Sequence, residues 1–258
     1  MLALIAGTGD LPPALLARLT VRPLVCALEG FAPAVPADLT FRIETLGSLM
    51  EDLASRGVTQ VCLAGAIRRP PVDAAAIDGA TAPLVPRIER ALAAGDDGAL
   101  RIVMALFEER GLRIVAAHEI APDLLPRAGV LTAAQPGSAH ADDARIGALE
   151  VARLGASDTG QACVVAGGRV VASEGAAGTD AMLAGLAGQD GILFKAPKPD
   201  QDRRADLPVI GPGTARAAAA VGLDGIVIAA GGVMVLEREA VVSICDDAGL
   251  FLWVRETP

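Results

Sequence analysis

The sequence predicts an α/β protein of two domains, each built on its own β-sheet. Leu2–Ala6 is a short apolar run followed by a turn that contains Gly7 and Gly9 and then by a helical pattern, the order that opens a Rossmann-like domain. Beyond about residue 140, glycine pairs separate short apolar runs, which indicates hairpins and a mixed sheet. We expect a mainly parallel sheet in residues 1–130, a mixed sheet in residues 131–258, and an active site in the cleft between the two domains.

The composition favours an aliphatic core and excludes several classes of partner. Of the 258 residues, 52% are hydrophobic but only 2% are aromatic, which is typical of helices packed on a parallel sheet. The net charge of −9 argues against nucleic-acid binding and against electrostatic docking on an anionic membrane. An anionic ligand would therefore need a local basic cluster or a metal ion.

The four cysteines indicate a reducing compartment. They lie far apart, inside or beside apolar runs and without a C-x-x-C pair, so we interpret them as buried thiols. The first apolar run is too short for a signal peptide, and no stretch approaches the roughly 20 apolar residues of a membrane span. We expect a cytoplasmic protein. The cysteines are Cys26, Cys62, Cys163 and Cys245.

The first half alternates predicted strands and helices. Ser48 is the predicted N-cap of the second helix, and Gly57 is its predicted end. The predicted strands are residues 2–6, 24–28, 41–45, 59–64 and 112–116, and the predicted helices are residues 13–19, 48–56, 86–94 and 97–110.

The turn after the first strand permits two interpretations. Gly7 and Gly9, with Glu29 at the end of the second strand, partly match a dinucleotide fingerprint. Pro12 stands where that fingerprint needs its third glycine, which favours a tight turn near the substrate as the explanation of the two glycines. An NAD(P)-dependent oxidoreductase is therefore one alternative function.

Charged residues follow later strands and helices of the first half. Arg68 and Arg69 come after a predicted strand, where they meet either phosphate or solvent. Asp96 and Asp97 serve either as an N-cap or as oxygen ligands of a divalent cation. His118 is either a hydrogen-bonded structural residue or a base.

The second half begins after a proline- and glycine-rich boundary at residues 121–141. Thr179 or Asp180 is the predicted N-cap of a helix whose amide groups could bind an anion. Predicted hairpins centre on Gly167-Gly168, between residues 162–166 and 169–173, and on Gly231-Gly232, between residues 225–230 and 233–236. The remaining predicted elements are helices 142–154, 214–221 and 237–248 and strands 191–194 and 250–254.

Residues 194–211, FKAPKPDQDRRADLPVIG, are the stretch around which we expect the site to be organised. Three prolines exclude a regular helix or an interior strand, yet the stretch carries four cations and three carboxylates. A stiff charged loop at the end of a buried strand is where open α/β sheets place ligand groups. The alternative is a solvated loop with internal ion pairs. The charged residues are Lys195, Lys198, Asp200, Asp202, Arg203, Arg204 and Asp206.

The pattern K-A-P-K-P-x-Q-D-x-R-x-D-L-P-x-I-G in this stretch resembles the signature of the UDP-2,3-diacylglucosamine pyrophosphatases of the LpxI type, which act in lipid A synthesis. Segments elsewhere resemble that family in the same order along the chain. They are G-x-G-x-L-P at residues 7–12, the arginine–proline pair at 69–70, G-D-D with L-R at 95–101, A-H-E at 117–119, and an E-G-x-D-A-M-like segment that begins at Glu174 with two extra residues.

The resemblance implies hydrolysis of a pyrophosphate bond, giving UMP and 2,3-diacylglucosamine 1-phosphate, with Mg²⁺ as the metal. It implies that Asp206 ligates the metal or orients the water, with Asp96 and Asp97 as further metal ligands. Lys195 and Arg204 are the other catalytic candidates, because they would stabilise charge on phosphate oxygens. The implied substrate contacts are Gly7, Gly9, Arg69, His118, Glu119, Thr179, Asp180, Lys198 and Gln201.

The implied partner is a lipid-bearing nucleotide sugar. Peripheral contact with the cytoplasmic face of the inner membrane and a homodimer are further expectations. Besides the oxidoreductase, a non-catalytic nucleotide-sugar- or lipid-binding protein is the second alternative.

Overall fold

The computed structural model describes residues 1–256, which form two compact units. The first unit contains Met1–Pro122 together with the short segment Asp202–Asp206. The second contains Asp123–Gln201 and the chain from Leu207 onward. No helix within residues 1–256 is both long and apolar enough to cross a membrane.

The first unit is built on a five-stranded sheet in which every neighbouring pair is parallel, as predicted. Its strand order is β3-β2-β1-β4-β5, so the order reverses between β1 and β4. In open α/β sheets this switch point is where ligands bind, beside the carboxyl ends of the strands. The strands are β1 (Leu2–Ala6), β2 (Leu24–Leu28), β3 (Leu39–Phe41), β4 (Gln60–Ala64) and β5 (Arg113–Ile114).

Helices of the first unit bury their apolar stripes against this sheet. Leu53, Met104 and Phe107 are almost fully buried with the strand side chains. The helices are α1 (Leu11–Leu16), α2 (Leu46–Ser55), α3 (Val85–Ala93), α4 (Asp96–Glu108) and α5 (Ala117–Ile120).

Among the local predictions for this unit, strand 41–45 and the Ser48 cap are wrong, and helix 13–19 is instead Leu11–Leu16. Strand 41–45 ends at Phe41, because Ile43–Thr45 forms a 3₁₀ turn that directs the buried Glu44 carboxylate at the Asp73 N–H, 2.7 Å away. Ser48 does not cap α2, since the helix begins at Leu46 and Ser48 lies within its first turn. The buried spacing of Leu46, Leu49 and Met50 sets that earlier start.

The second unit contains a six-stranded mixed sheet in the order β6-β13-β11-β9-β7-β8, which confirms the predicted mixed sheet. Strands β9, β11 and β13 are parallel, whereas β6 and β7 run antiparallel to their neighbours. Strands β10 and β12 form a separate parallel pair. The strands are β6 (Gly129–Val130), β7 (Ala162–Ala166), β8 (Arg169–Ser173), β9 (Ile192–Lys195), β10 (Val209–Ile210), β11 (Gly225–Ala229), β12 (Met234–Val235) and β13 (Phe251–Arg255).

Helices cover both faces of this six-stranded sheet. Along β9 successive side chains point to opposite faces, so Leu193 joins one core cluster and Phe194 the other. The second cluster contains α6 side chains, and the first contains side chains of α7, α8 and α9. This double coverage explains why β11 is buried along its whole length. The helices are α6 (Ser138–Ala156), α7 (Thr179–Ala184), α8 (Pro212–Val221) and α9 (Arg238–Ala248).

One of the two predicted hairpins is present. Strands β7 and β8 pair antiparallel about Gly167-Gly168, and both glycines have positive φ angles. The prediction for Gly231-Gly232 is wrong, although Gly232 N–H does form a turn bond to the Ala229 carbonyl at 3.1 Å. Both edges of β11 are already occupied by β9 and β13, so β12 pairs with β10 instead.

Candidate functional site

The loops that follow β1 and β4 at the switch point are hydrogen-bonded to each other. Thr8 and Ala66 exchange backbone bonds of 3.0 and 2.9 Å, and Gly7 N–H donates to the Ala64 carbonyl at 2.8 Å. A Cβ on Gly7 would lie 2.5 Å from the Ala66 oxygen, so a larger residue would separate the loops. The Gly7 and Thr8 N–H groups are thus used between the loops, and Pro12 and Pro13 in the first turn of the following helix have no N–H to offer a pyrophosphate. This geometry does not favour the NAD(P) alternative.

An apolar cavity of about 360 Å³ adjoins the β4 loop in the first unit. Its wall includes side chains from the strands and from α3 and α4, while four charged residues also line it. An apolar pocket with a few polar groups is the usual form of a small-molecule site. The apolar lining includes Ile5, Leu28, Phe41, Leu63, Ile88 and Val103; the charged residues are Arg68, Arg69, Asp96 and Asp206.

The charged residues of this cavity differ in their hydrogen bonds, their ion pairs and their exposure. Arg69 donates to the Ala94 carbonyl and lies 3.3 Å from the Asp96 carboxylate. The Asp96 side chain is nevertheless 81% exposed. The Arg68 side chain is exposed and has no hydrogen-bond or ion-pair partner within residues 1–256. The structure therefore brings the predicted residues Arg69, Asp96 and Asp206 to one cavity.

The segment Asp202–Asp206 is held on α4 by a clamp formed by Arg204, Asp202 and Glu108. Arg204 binds the Asp202 carboxylate through two hydrogen bonds of 3.0 and 2.8 Å and donates to Glu108 at 2.6 Å. The Arg204 guanidinium holds the pKa of the Asp202 carboxyl below its usual range. Arg204 thus fixes the segment that carries Asp206.

Asp97 also holds this segment. Its Oδ1 accepts from the Asp202 N–H at 3.1 Å, and its Oδ2 accepts from Arg101 at 2.7 Å. Neither Asp97 nor Asp96 is the N-cap of α4, because Gly95 occupies that position in an extended conformation. Both acidic residues instead lie in the first turn, where the helix dipole favours negative charge.

The carboxylates of the cavity suit a cation that takes most of its ligands from elsewhere. Within residues 1–256, no group of three or more His, Cys, Asp or Glu side chains is arranged to hold a metal ion. Asp96 and Asp206 line the same cavity, and Mg²⁺ in phosphate-processing sites binds one or two carboxylates together with substrate phosphates and water. Asp96 and Asp206 are the carboxylates at this cavity that could serve in that mode, whereas Asp97 is engaged in holding the segment.

His118 and Glu119 lie on α5 and do not line the cavity. Glu119 accepts from the Ala116 N–H at 3.0 Å and so caps its own short helix. Its carboxylate also lies 3.7 Å from Arg113. His118 Nδ1 is buried and has no hydrogen-bond partner among the described residues. Sequence alone gives no sign of that unsatisfied nitrogen.

In the second unit, Lys195, Thr179 and Glu174 form a connected buried cluster. Lys195 ends β9 and donates to the Thr179 hydroxyl at 2.8 Å. That hydroxyl lies 2.6 Å from Glu174 Oε1. Gly178, rather than Thr179 or Asp180, is the N-cap of α7, because the Thr179 side chain is engaged in this cluster. Asp180 is exposed in the first turn.

Lys198 and Gln201 help fold the charged loop itself. The Lys198 ammonium pairs with Asp158. Gln201 is buried, its side-chain oxygen accepts from the Lys198 N–H at 2.9 Å, and its amide nitrogen lies 3.4 Å from Gln161. Lys198 therefore ties the loop to a residue outside it, whereas the internal ion pairing that was one interpretation of the loop is present between Arg204 and Asp202.

Comparison with known proteins identifies the family. Residues 1–124 match the LpxI N-terminal domain, and residues 127–253 match the LpxI C-terminal domain. The UDP-2,3-diacylglucosamine pyrophosphatase LpxI of Caulobacter vibrioides is 38% identical over 277 aligned positions, which cover 97% of this chain and 96% of that protein. The chain belongs to the LpxI family. The two family domains meet between residues 124 and 127, next to the division of the described chain at Pro122.

The four cysteines of this LpxI-family chain are free and buried, as predicted. Burial raises the pKa of Cys62 and Cys163 to about 12 and that of Cys245 to about 11. For Cys26, burial with the nearby Asp38 charge raises the pKa to about 12. None of these thiols is set up as a nucleophile.

Proposed function

We propose that this LpxI-family chain hydrolyses the pyrophosphate bond of UDP-2,3-diacylglucosamine in lipid A biosynthesis, giving UMP and 2,3-diacylglucosamine 1-phosphate. The observation that carries this proposal is the similarity along nearly the whole chain to the Caulobacter protein of that name, at 38% identity. Both halves contribute, since each family domain is matched.

The cavity of the first unit supports a substrate with an apolar and an anionic part. Its aliphatic and aromatic lining suits acyl carbon, whose burial is favourable by about 0.8 kcal/mol per CH₂. Arg68 offers an exposed guanidinium whose paired N–H groups match phosphate oxygens. We assign an acyl chain to the cavity and a phosphate to Arg68.

Asp206 is the proposed catalytic carboxylate. It is half-buried beside the cavity, and the Arg204 clamp and Asp97 fix its segment on α4. A fixed carboxylate can accept a hydrogen bond from the attacking water and keep it in line with the phosphorus. Arg204 is a positioning residue in this proposal.

Asp96 and Asp206 would hold Mg²⁺ together with the substrate phosphates. When bound, the ion would neutralise charge on the diphosphate. In the second unit, Lys195 is the candidate for neutralising charge on the diphosphate, since it is a buried cation at the end of β9.

A diacylated substrate resides in a lipid bilayer, so we also propose peripheral contact with the inner membrane from its cytoplasmic face. The net charge of −9 disfavours electrostatic attraction to anionic lipid, so this contact would be apolar and transient. A homodimer stays a prediction, which light scattering of the purified protein would test.

The test is product analysis with purified protein and UDP-2,3-diacylglucosamine in detergent, with Mg²⁺ or with a chelator. We expect UMP and the sugar 1-phosphate in the presence of Mg²⁺. UDP with free diacylglucosamine would instead indicate cleavage at the sugar. Binding without any product would favour the non-catalytic alternative.

A further inference from the structure

The cations of this chain are distributed unevenly between arginine and lysine. The sequence has 20 arginines and only two lysines, Lys195 and Lys198, and both lie in the loop of residues 194–211. Lysine presents a compact ammonium with three donors, whereas arginine presents a planar fork. Lys198 pairs with Asp158, while Lys195 is only 6% exposed at the end of β9.

Hydrogen bonds join Lys195 to Glu174 through the Thr179 hydroxyl, with each donor on the Lys195 side. Lys195 donates to the Thr179 oxygen at 2.8 Å, so the one hydroxyl proton of Thr179 is available for Glu174 Oε1, 2.6 Å away. The other carboxylate oxygen, Oε2, accepts from the Gln161 N–H at 2.7 Å. The ammonium is therefore linked through a hydroxyl to a carboxylate that the backbone fixes.

The carboxylate itself has little freedom to move. Glu174 and Thr179 are each only 7% exposed. A Cβ added to Gly160 would lie 2.5 Å from the Glu174 carbonyl oxygen, so the turn before β7 is packed directly on Glu174. Buried charges of opposite sign give little net stability, because desolvation offsets their attraction. Stability alone therefore does not explain three buried polar side chains here.

We propose that Glu174 and Thr179 are positioning residues that hold the Lys195 ammonium in the orientation in which it neutralises a diphosphate oxygen of the substrate. This inference rests on the proposed function. It assigns the two residues an indirect role, since Lys195 alone touches the substrate.

The orientation of Lys195 is measurable without any activity. In protein labelled with ¹³C-lysine, only two sets of ε-methylene signals arise, and a Lys198→Arg variant assigns them. The two ε protons of a held lysine differ in chemical shift, whereas those of a freely rotating lysine coincide. We expect separate shifts for Lys195 in the wild type and in Thr179→Ser, which keeps the hydroxyl. We expect their difference to collapse in Thr179→Val and in Glu174→Gln.

Steady-state kinetics on the same variants test the catalytic consequence. Thr179→Val and Glu174→Gln should lower kcat by about tenfold or more, which is about 1.4 kcal/mol of barrier. KM should change much less, because the oriented charge acts mainly in the transition state. Thr179→Ser should retain most of the wild-type kcat. Two different variants are used so that poor folding of one leaves the other to decide.

Unchanged ε-proton shifts in both Thr179→Val and Glu174→Gln would overturn the inference, whatever the activity. Collapsed shifts with unchanged kcat would overturn it as well, since Lys195 would be held but not used. If the wild type releases no UMP, the proposed function fails and the catalytic role fails with it. The shifts would then still report separately whether Glu174 and Thr179 hold Lys195.

Discussion

Replacing Arg204 by methionine should release the segment Asp202–Asp206 from α4. The methionine keeps much of the apolar stem but removes both bonds to Asp202 and the bond to Glu108. Arg203→Met is the matched control. Arg203 is exposed, and its replacement removes the same charge one residue away.

The size of the effect follows from the exposure of the partners. The side chains of Arg204 and Glu108 are 43% and 40% exposed, so their pair contributes at most about 1 kcal/mol. The Asp202 side chain is only 14% exposed, and its paired bonds to a charged donor should contribute about 1.5 kcal/mol. We expect a total loss of about 2 kcal/mol, which corresponds to roughly thirtyfold faster local opening.

The effect should depend on pH through Asp202. Its pKa is lowered in the folded protein, so its contribution is fully present above its unfolded value of about 3.9 and is lost as the pH falls through the folded value. The difference between wild type and Arg204→Met should therefore be constant near neutral pH and shrink below about pH 4.

Hydrogen exchange followed by mass spectrometry on a peptide covering residues 202–206 measures this opening. We expect faster exchange and a lower kcat in Arg204→Met, and wild-type behaviour in Arg203→Met. Equal protection in the two variants would refute the clamp.

Three further outcomes are expected. Asp206→Asn should lower turnover by about a hundredfold or more with little change in substrate binding, whereas Asp200→Asn in the exposed part of the loop should not; a loss smaller than about tenfold would remove Asp206 as the catalytic carboxylate. Val103→Trp should fill the apolar cavity and raise KM for the diacylated substrate by about tenfold or more, and Leu149→Trp on the exposed surface of α6 should leave it unchanged. A thiol reagent at pH 8 should modify none of the four buried cysteines in the folded protein and all four after unfolding, and fast labelling of the native protein would contradict their burial.

Elements defined by local signals were predictable from the sequence. Strands β1 and β2 lie where their compact apolar runs place them, and the hairpin about Gly167-Gly168 follows from a glycine pair that permits positive φ. The same signal at Gly231-Gly232 correctly gives a turn but not a hairpin. Which strands pair is decided by distant segments, here β9 and β13, and no local pattern contains that information.

Helix starts were less predictable for a related reason. Gly95 and Gly178 take the N-cap positions that the sequence assigns to the acidic or hydroxyl residues after them. Thr179 is a good capping residue by type, but its hydroxyl is used by Glu174 and Lys195. Tertiary contacts therefore override a local preference.

The charges of the site were predictable, but their partners were not. Asp206 and Arg204 are neighbours in sequence, yet Arg204 binds Asp202 and the distant Glu108. The cavity could not be predicted from the sequence, because its apolar lining residues have the same sequence pattern as a packed core. Residues such as Ile5 and Phe41 could be assigned to the cavity only from the structure.

The most direct test of the proposed function is the ratio of kcat/KM for UMP release from UDP-2,3-diacylglucosamine to that from UDP-glucose, measured with the same protein and Mg²⁺. We expect a ratio far above unity, because the acyl chains contribute binding energy that the bare sugar nucleotide lacks. Equal values would show that the lipid is not recognised and would contradict the assignment of this chain as a UDP-2,3-diacylglucosamine pyrophosphatase.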